Sequence, residues 1–165
     1  MCNAAYLGVR YMRIESLANH PAHANQIGKW HWEEWGHADP GGSKESWIEG
    51  IAGRNNAESI PMTLVALSDG GELLGSVSLV ECDMETHPEL SPWLAGLYVD
   101  PKSRSSRVGS TLTTHAFEAA MNTGIERLYL YTSKARELYE RLGWVSIGVE
   151  YYEGEDVTIM CKSNI

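Results

Sequence analysis

The chain has 165 residues, 43% hydrophobic and 21% charged, a composition that suits one globular domain with a substantial core. Its net charge of −9 argues against nucleic-acid binding, which needs a basic face, and favours a cationic partner such as an amine by long-range attraction. The three cysteines, Cys2, Cys82 and Cys161, are odd in number and form no C-x-x-C, so neither a disulfide framework nor a zinc knuckle is expected and a reducing, cytoplasmic setting fits.

Residues 1–165 read as a single domain. No charged leader followed by an apolar run opens it, and no apolar stretch approaches a membrane span, so neither a signal peptide nor a membrane is expected. Residues 1–11 read as a loose extension, although Val9 and Tyr11 would also serve to lengthen a first strand over 9–17. His20 to Trp35 carries Ile27, Trp30, Trp32 and Trp35 at roughly helical spacing. Asp39-Pro40-Gly41-Gly42 is a turn, and Ser43 with Ser46 caps a second helix bearing Trp47, Ile48 and Ile51.

The period then changes. Residues 61–67 form a strand, Asp69-Gly70-Gly71 a hairpin turn, and residues 72–81 the return strand. A polar loop over 82–92 leads to a central strand from Trp93 to Val99. Val108, Leu112, Ala116, Ala119 and Ala120 share one helical face, ending near Gly124. A short strand at 128–131, a helix whose face is Ala135, Leu138, Tyr139 and Leu142, and strands at 144–149 and 157–161 complete the chain. The order is strand, two helices, three strands, helix, strand, helix, two strands. It predicts a mixed α/β (α+β) domain in which an antiparallel meander leads through a crossover helix to a parallel neighbour.

The most informative segment is Leu94 to Pro101 followed by Arg104-Ser105-Ser106-Arg107-Val108-Gly109-Ser110. A strand stops, a basic turn follows and a helix begins. Such a turn gathers free backbone N–H groups and the positive end of a helix dipole, which is an anion site.

Three pieces in this order resemble the GNAT superfamily of acyl-CoA-dependent N-acetyltransferases. The first is strand 94–99 with Arg104-x-x-Arg107-x-Gly109, similar to the family's Gln/Arg-x-x-Gly-x-Gly/Ala pyrophosphate turn. The second is Leu128-Tyr129-Leu130-Tyr131-Thr132, similar to the strand that splays from the central one. The third is Ala135-x-x-Leu138-Tyr139-Glu140-Arg141-Leu142-Gly143-Trp144, close to the family's Ala-x-x-x-Tyr-x-x-x-Gly-aromatic helix. The chain departs from the pattern twice. Arg107 replaces a glycine that can take positive φ, and Thr132 stands where asparagine is common, keeping one hydroxyl but no amide.

The resemblance implies a GNAT-like mixed sheet of about seven strands flanked by about four helices, and acetyl-CoA as co-substrate with no metal. It implies that Leu97, Tyr98 and Val99 carry the pantetheine and that Arg104, Ser105, Ser106, Arg107, Val108, Gly109 and Ser110 hold the pyrophosphate. Thr132 and Ala135 complete the cofactor side. Tyr139, by its place in the helix motif, is implied as the general acid for the leaving thiolate, since a phenol with pKa about 10 stays protonated at neutral pH. The alternative is that Tyr139 packs in the core.

Glu81 ends a strand beside the expected split and is the first candidate for a general base; its alternative is an exposed strand-end charge. Asp83, Glu85 and His87 in the next loop rank behind it. Trp30, Trp32 and Trp35 lie where the family builds its acceptor wall, and would hold a cation or simply pack helices on the sheet. His20, His23, His31 and His37 lack a matching ligand pattern for zinc. No cysteine stands where a nucleophile is wanted, which favours direct transfer to a primary amine of a small molecule or peptide. Monomer and homodimer are both compatible with the sequence. A non-catalytic acyl-CoA-binding or sensing module on the same fold is the rival reading. A nucleotide-binding protein is disfavoured, since neither a P-loop nor a dinucleotide fingerprint occurs.

Overall fold

In a computed structural model, which describes residues 11–164, one seven-stranded sheet runs in the order β1-β2-β3-β4-β5-β7-β6. The strands are β1 (Met12–Ser16), β2 (Met62–Ser68), β3 (Leu73–Val80), β4 (Trp93–Val99), β5 (Arg127–Thr132), β6 (Val145–Tyr152) and β7 (Glu155–Ser163). The helices are α1 (Ala24–Trp35), α2 (Lys44–Ala52), α3 (Val108–Asn122) and α4 (Arg136–Arg141). Element order agrees with the sequence reading throughout. The helix expected from His20 begins as a separate turn, because Pro21 opens a 3₁₀ segment at Pro21–His23 and the α-helix starts only at Ala24. The expected loose extension and Val9 fall in 1–10, outside the described residues, and Cys2 lies there too.

Alternation along the strands sorts the core into two sides. Met62 and Ala66 of β2, Val77 and Leu79 of β3 and Leu128 and Leu130 of β5 pack against Val108, Leu112, Ala116 and Ala120 of α3. On the other side Val65 and Leu67 meet Ile27 of α1 and Ile51 of α2. Gly28 lets these two helices close up, since a Cβ there would lie 2.5 Å from the Ile48 Cα. Beyond the reach of α1 and α2, that same side is covered by the β3–β4 loop. Its Met84 is fully buried in a cluster with Trp93, Val157 and Ile159.

Two irregularities in β4 set up the centre of the sheet. β4 and β5 are parallel neighbours across α3, yet they pair only at Trp93 and Tyr129, and from there they part. Ser78 pairs with Ala95 and Ser76 with Tyr98, so Gly96 and Leu97 together oppose one residue of β3, a bulge. Gly96 takes φ +61, and a Cβ there would press to 2.8 Å from the His31 ring. The extra residue flips the alternation. Leu94 before the bulge and Leu97 and Val99 after it face α3, while the Tyr98 ring joins the aromatic residues of α1.

Candidate functional site

The turn from β4 to α3 is built by local chemistry. Asp100 caps Pro101–Ser103 by accepting from the Lys102 N–H at 3.2 Å, and Ser106 donates to the Ser103 carbonyl. Ser105 and Arg107 then take φ +64 and +66, the left-handed region. Arg107 therefore adopts the conformation that a glycine would take at lower cost, at roughly 1 kcal/mol. It is the residue before α3, and no side chain caps that helix. The first N–H groups of α3, from Val108, Gly109 and Ser110, lack intrahelical acceptors and sit at the positive end of the dipole. The hydroxyls of Ser110 and Thr111 turn away from them, donating to the Arg107 carbonyl at 3.2 and 2.7 Å.

Not every residue of the turn points at this spot. Arg104 bends back, its Nε donating to the Val99 carbonyl at 3.1 Å and its guanidinium lying 5.6 Å from the centre of the Tyr98 ring. On the outer side a cavity of about 270 Å³ runs between the β2–β3 hairpin and the turn, with Asp69 and Glu72 on one wall and Ser103, Ser106 and Val108 of the turn on the other. Gly109 faces β4, its Cβ position 3.7 Å from Val99 Cγ2 and 3.9 Å from Leu97 Cδ2.

Across the split, Thr132 at the end of β5 accepts from the Ala135 N–H at 3.0 Å, shaping the entry into α4 without an asparagine. α4 presents Tyr139, only 6% exposed, with its ring 6.1 Å from that of Trp144. Burial raises the Tyr139 phenol to about 12, so it stays protonated at neutral pH.

The opposite side of β4 is aromatic. Trp30 stacks on Tyr98 at 5.1 Å, and Trp35 meets both His31 and Tyr98 edge-on at 4.9 and 6.2 Å. Trp32 points elsewhere and packs on Trp47 of α2 at 6.2 Å, with Trp47 Nε1 donating to Asp39 at 2.8 Å. Trp30 and Trp35 are therefore together and Trp32 is not with them. Glu33 and Glu34 lie near enough to push the Tyr98 phenol up, behind the larger effect of burial and against the pull of Arg104.

His31 was grouped in the sequence with three other histidines as a weak metal candidate. The structure separates it from them and buries it to 3% exposure against Gly96, and its Nε2 has no partner among the described residues. Burial, then the charge of Arg54, lower its pKa to about 3. Among the described residues no group of three His, Cys, Asp or Glu side chains could hold a metal ion. No described helix is long and apolar enough to cross a membrane.

Glu81 follows β3 at the edge of the site. It is exposed, and its Oε2 accepts from Ser91 at 3.2 Å. Asp83, two residues on, is half-buried. Burial raises its carboxyl to about 6, against the pull of Arg54 and with a push from Glu153. Arg54 follows α2, Tyr131 lies on β5, and Tyr152 and Glu153 lie at the β6–β7 turn, so no local motif announced this meeting.

The sheet thus opens at its one parallel pair, its central strand is bulged, and α3 starts uncapped behind a left-handed residue. The family model "Acetyltransferase (GNAT) family" matches residues 24–144. The chain belongs to that family and is an enzyme of the acyltransferase class. No curated protein matches it. Among solved structures it resembles an aminoglycoside 6'-N-acetyltransferase complexed with coenzyme A, at 18% identity and TM-score 0.71, covering 92% of this chain and 96% of that one. It also resembles the yncA protein of Salmonella typhimurium with its cofactor acetyl-CoA, at 16% identity and TM-score 0.69, covering 93% and 94%. A spermidine N-acetyltransferase chimera from Vibrio cholerae and hSSAT aligns at 20% identity and TM-score 0.66, covering 92% and 95%.

Proposed function

We propose that the protein transfers an acetyl group from acetyl-CoA to a primary amine of a small molecule or peptide, with both substrates bound at once. The observation that carries the reading is the uncapped first turn of α3 behind left-handed Arg107, at the end of a strand that parts from its parallel neighbour. Backbone N–H groups from Ser106 to Ser110 would hold the pyrophosphate, and the β4 backbone at Leu97 and Val99 the pantetheine, with Thr132 and Ala135 on the far wall. Bound there, acetyl-CoA supplies the acyl group as an activated thioester. Tyr139 supplies a proton to the departing sulfur, and burial keeps its phenol protonated throughout the working pH range. Trp30 and Trp35, with Tyr98 between them, offer aromatic faces to a cationic acceptor on the other side of β4. The acidic balance of the chain attracts the same kind of partner.

Calorimetry with acetyl-CoA tests the cofactor half. The native chain should bind, and Gly109→Trp should bind at least about 100-fold more weakly while keeping its circular dichroism, because an indole on the first turn of α3 obstructs the pyrophosphate. No binding to the native chain at millimolar acetyl-CoA defeats the reading. Release of coenzyme A with spermidine, kanamycin and a dipeptide tests the transfer half. Binding without release for any amine would identify a sensing module instead.

A further inference from the structure

We infer that strand β6, at the edge of the sheet, is where a second copy of this chain docks, the two β6 strands running antiparallel about a two-fold axis. The inference stands apart from the acetyl-transfer reading and uses none of its residues.

The two edges of the sheet are unlike. The sheet ends in β1 on one side and in β6 on the other. β1 has five residues, and two of them, Arg13 and Glu15, are charged and pair at 3.5 Å. Short length and charge are what keep an open edge from pairing with another chain. β6 has eight residues and a single charge, Glu150. Five large hydrophobic side chains are exposed among the described residues, and four of them alternate along β6: Val145, Ile147, Val149 and Tyr151, from 49% exposed at Ile147 to 73% at Tyr151. The positions between them are engaged within the chain. Glu150 accepts from Thr86 at 2.9 Å, and the Tyr152 ring lies 5.4 Å from that of Tyr131. A long apolar row on an open edge marks an association site.

Three features point to a second copy as its occupant. The row is self-complementary. Run against its own reverse about Gly148, β6 sets Val145 opposite Tyr151 and Ile147 opposite Val149, apolar against apolar at every exposed hydrophobic position.

The hairpin of β6 and β7 is also polarised in charge. Arg141 precedes β6, and Lys162 stands beside the start of the strand, its Nζ donating to the Leu142 carbonyl at 2.8 Å. At the other end the turn carries Glu153, Glu155 and Asp156, all exposed. Among the described residues neither Arg141 nor any of these three carboxylates has an ion pair. Antiparallel approach brings each basic end to the acidic end of the other copy, twice by symmetry, whereas parallel approach would set like charge against like.

Finally, a cavity of about 330 Å³ opens beside Val145, with Phe117, Gly143 and Lys162 on its wall. The same two-fold brings Tyr151 of the second copy to its mouth. A tyrosine is a suitable anchor there, large and rigid, with an apolar ring to bury and a hydroxyl that stays at the wet rim.

The test is the oligomeric state of the full chain, by sedimentation equilibrium from micromolar to submillimolar concentration. The native chain should approach the mass of two copies. Tyr151→Lys and Val149→Lys replace exposed side chains and should keep the native circular dichroism. Each should weaken association by about 100-fold or more, since the symmetry puts two ammonium groups into the apolar row. Arg141→Glu should weaken it about tenfold. Adding Glu153→Lys and Glu155→Lys to that chain should recover most of the loss, because the two ends lie a strand's length apart within one copy and meet only across two. Arg13→Gln, on the opposite edge, should leave association unchanged. A native chain that stays monomeric throughout overturns the inference. So does a dimer that survives both Tyr151→Lys and Val149→Lys, or one that Arg13→Gln dissolves, since the second copy then sits elsewhere. Failure of acetyl-CoA calorimetry would sink the acetyl-transfer reading and leave the sedimentation result standing, so the two failures are distinguishable.

Discussion

The two sides of strand β4 are assembled by different rules. On the α3 side, the turn that follows β4 uses residues within ten positions of one another, and its function resides in the backbone. Ser105 and Arg107 turn left-handed, and the N–H groups that follow point outward whatever their side chains. On the α1 side, the wall is made by side chains from five distant segments. Trp30, His31 and Trp35 come from one helix, Arg54 from the link after the next, Asp83 from a loop, Tyr131 from β5 and Tyr152 from β6. The backbone-built side is tolerant of sequence, and so Arg107 can replace a glycine. The side-chain-built side has no such tolerance, and its chemistry depends on burial that no single segment supplies.

Three substitutions would break or sharpen that contrast. The largest effect is expected from Tyr139→Phe. Loss of a positioned acid typically costs about 10²–10⁴-fold in kcat, while the acetyl-CoA affinity should stay near native because the backbone cradle is untouched. Stopped-flow and calorimetry on the same preparation separate these. Native turnover would make Tyr139 only a core residue, packed on Trp144.

The second tests the buried side. His31 has a pKa lowered to about 3 by burial and then by Arg54, against 6.5 in the unfolded chain. Between those values the unfolded chain binds a proton that the folded one refuses, so stability is complete above pH 6.5 and falls as pH drops toward 3. His31→Leu should flatten this part of the pH dependence of the urea midpoint. An unchanged slope would mean that His31 is charged in the folded state.

The smallest effect is expected at the turn. Arg107→Gly should relieve the left-handed strain, roughly 1 kcal/mol, and raise the melting temperature by about 2–4 °C. Acetyl-CoA affinity should fall less than tenfold if the backbone holds the pyrophosphate. A fall beyond 100-fold would show that the guanidinium, and not the turn, does the holding.

The order of elements, the hairpin, the crossover and the turn from β4 into α3 were legible in the sequence because each is a short-range matter. Period, turn residues and capping chemistry act over a few positions, and the Ser43–Ser46 capping box appears as expected, each residue's backbone N–H donating to the other's hydroxyl at 2.9 and 3.0 Å. What only the tertiary structure decided is which side of β4 each residue serves. Simple alternation from Leu94 would place Tyr98 toward α3. The bulge at Gly96–Leu97 reverses it, sends Leu97 and Val99 to the α3 side and gives Tyr98 to the aromatic cluster on α1. That Glu81 stays exposed while Met84, three residues on, is fully buried was equally out of reach, although both close the same strand. Desolvation and long-range charge belong to the packed molecule, and no local stretch of sequence carries them.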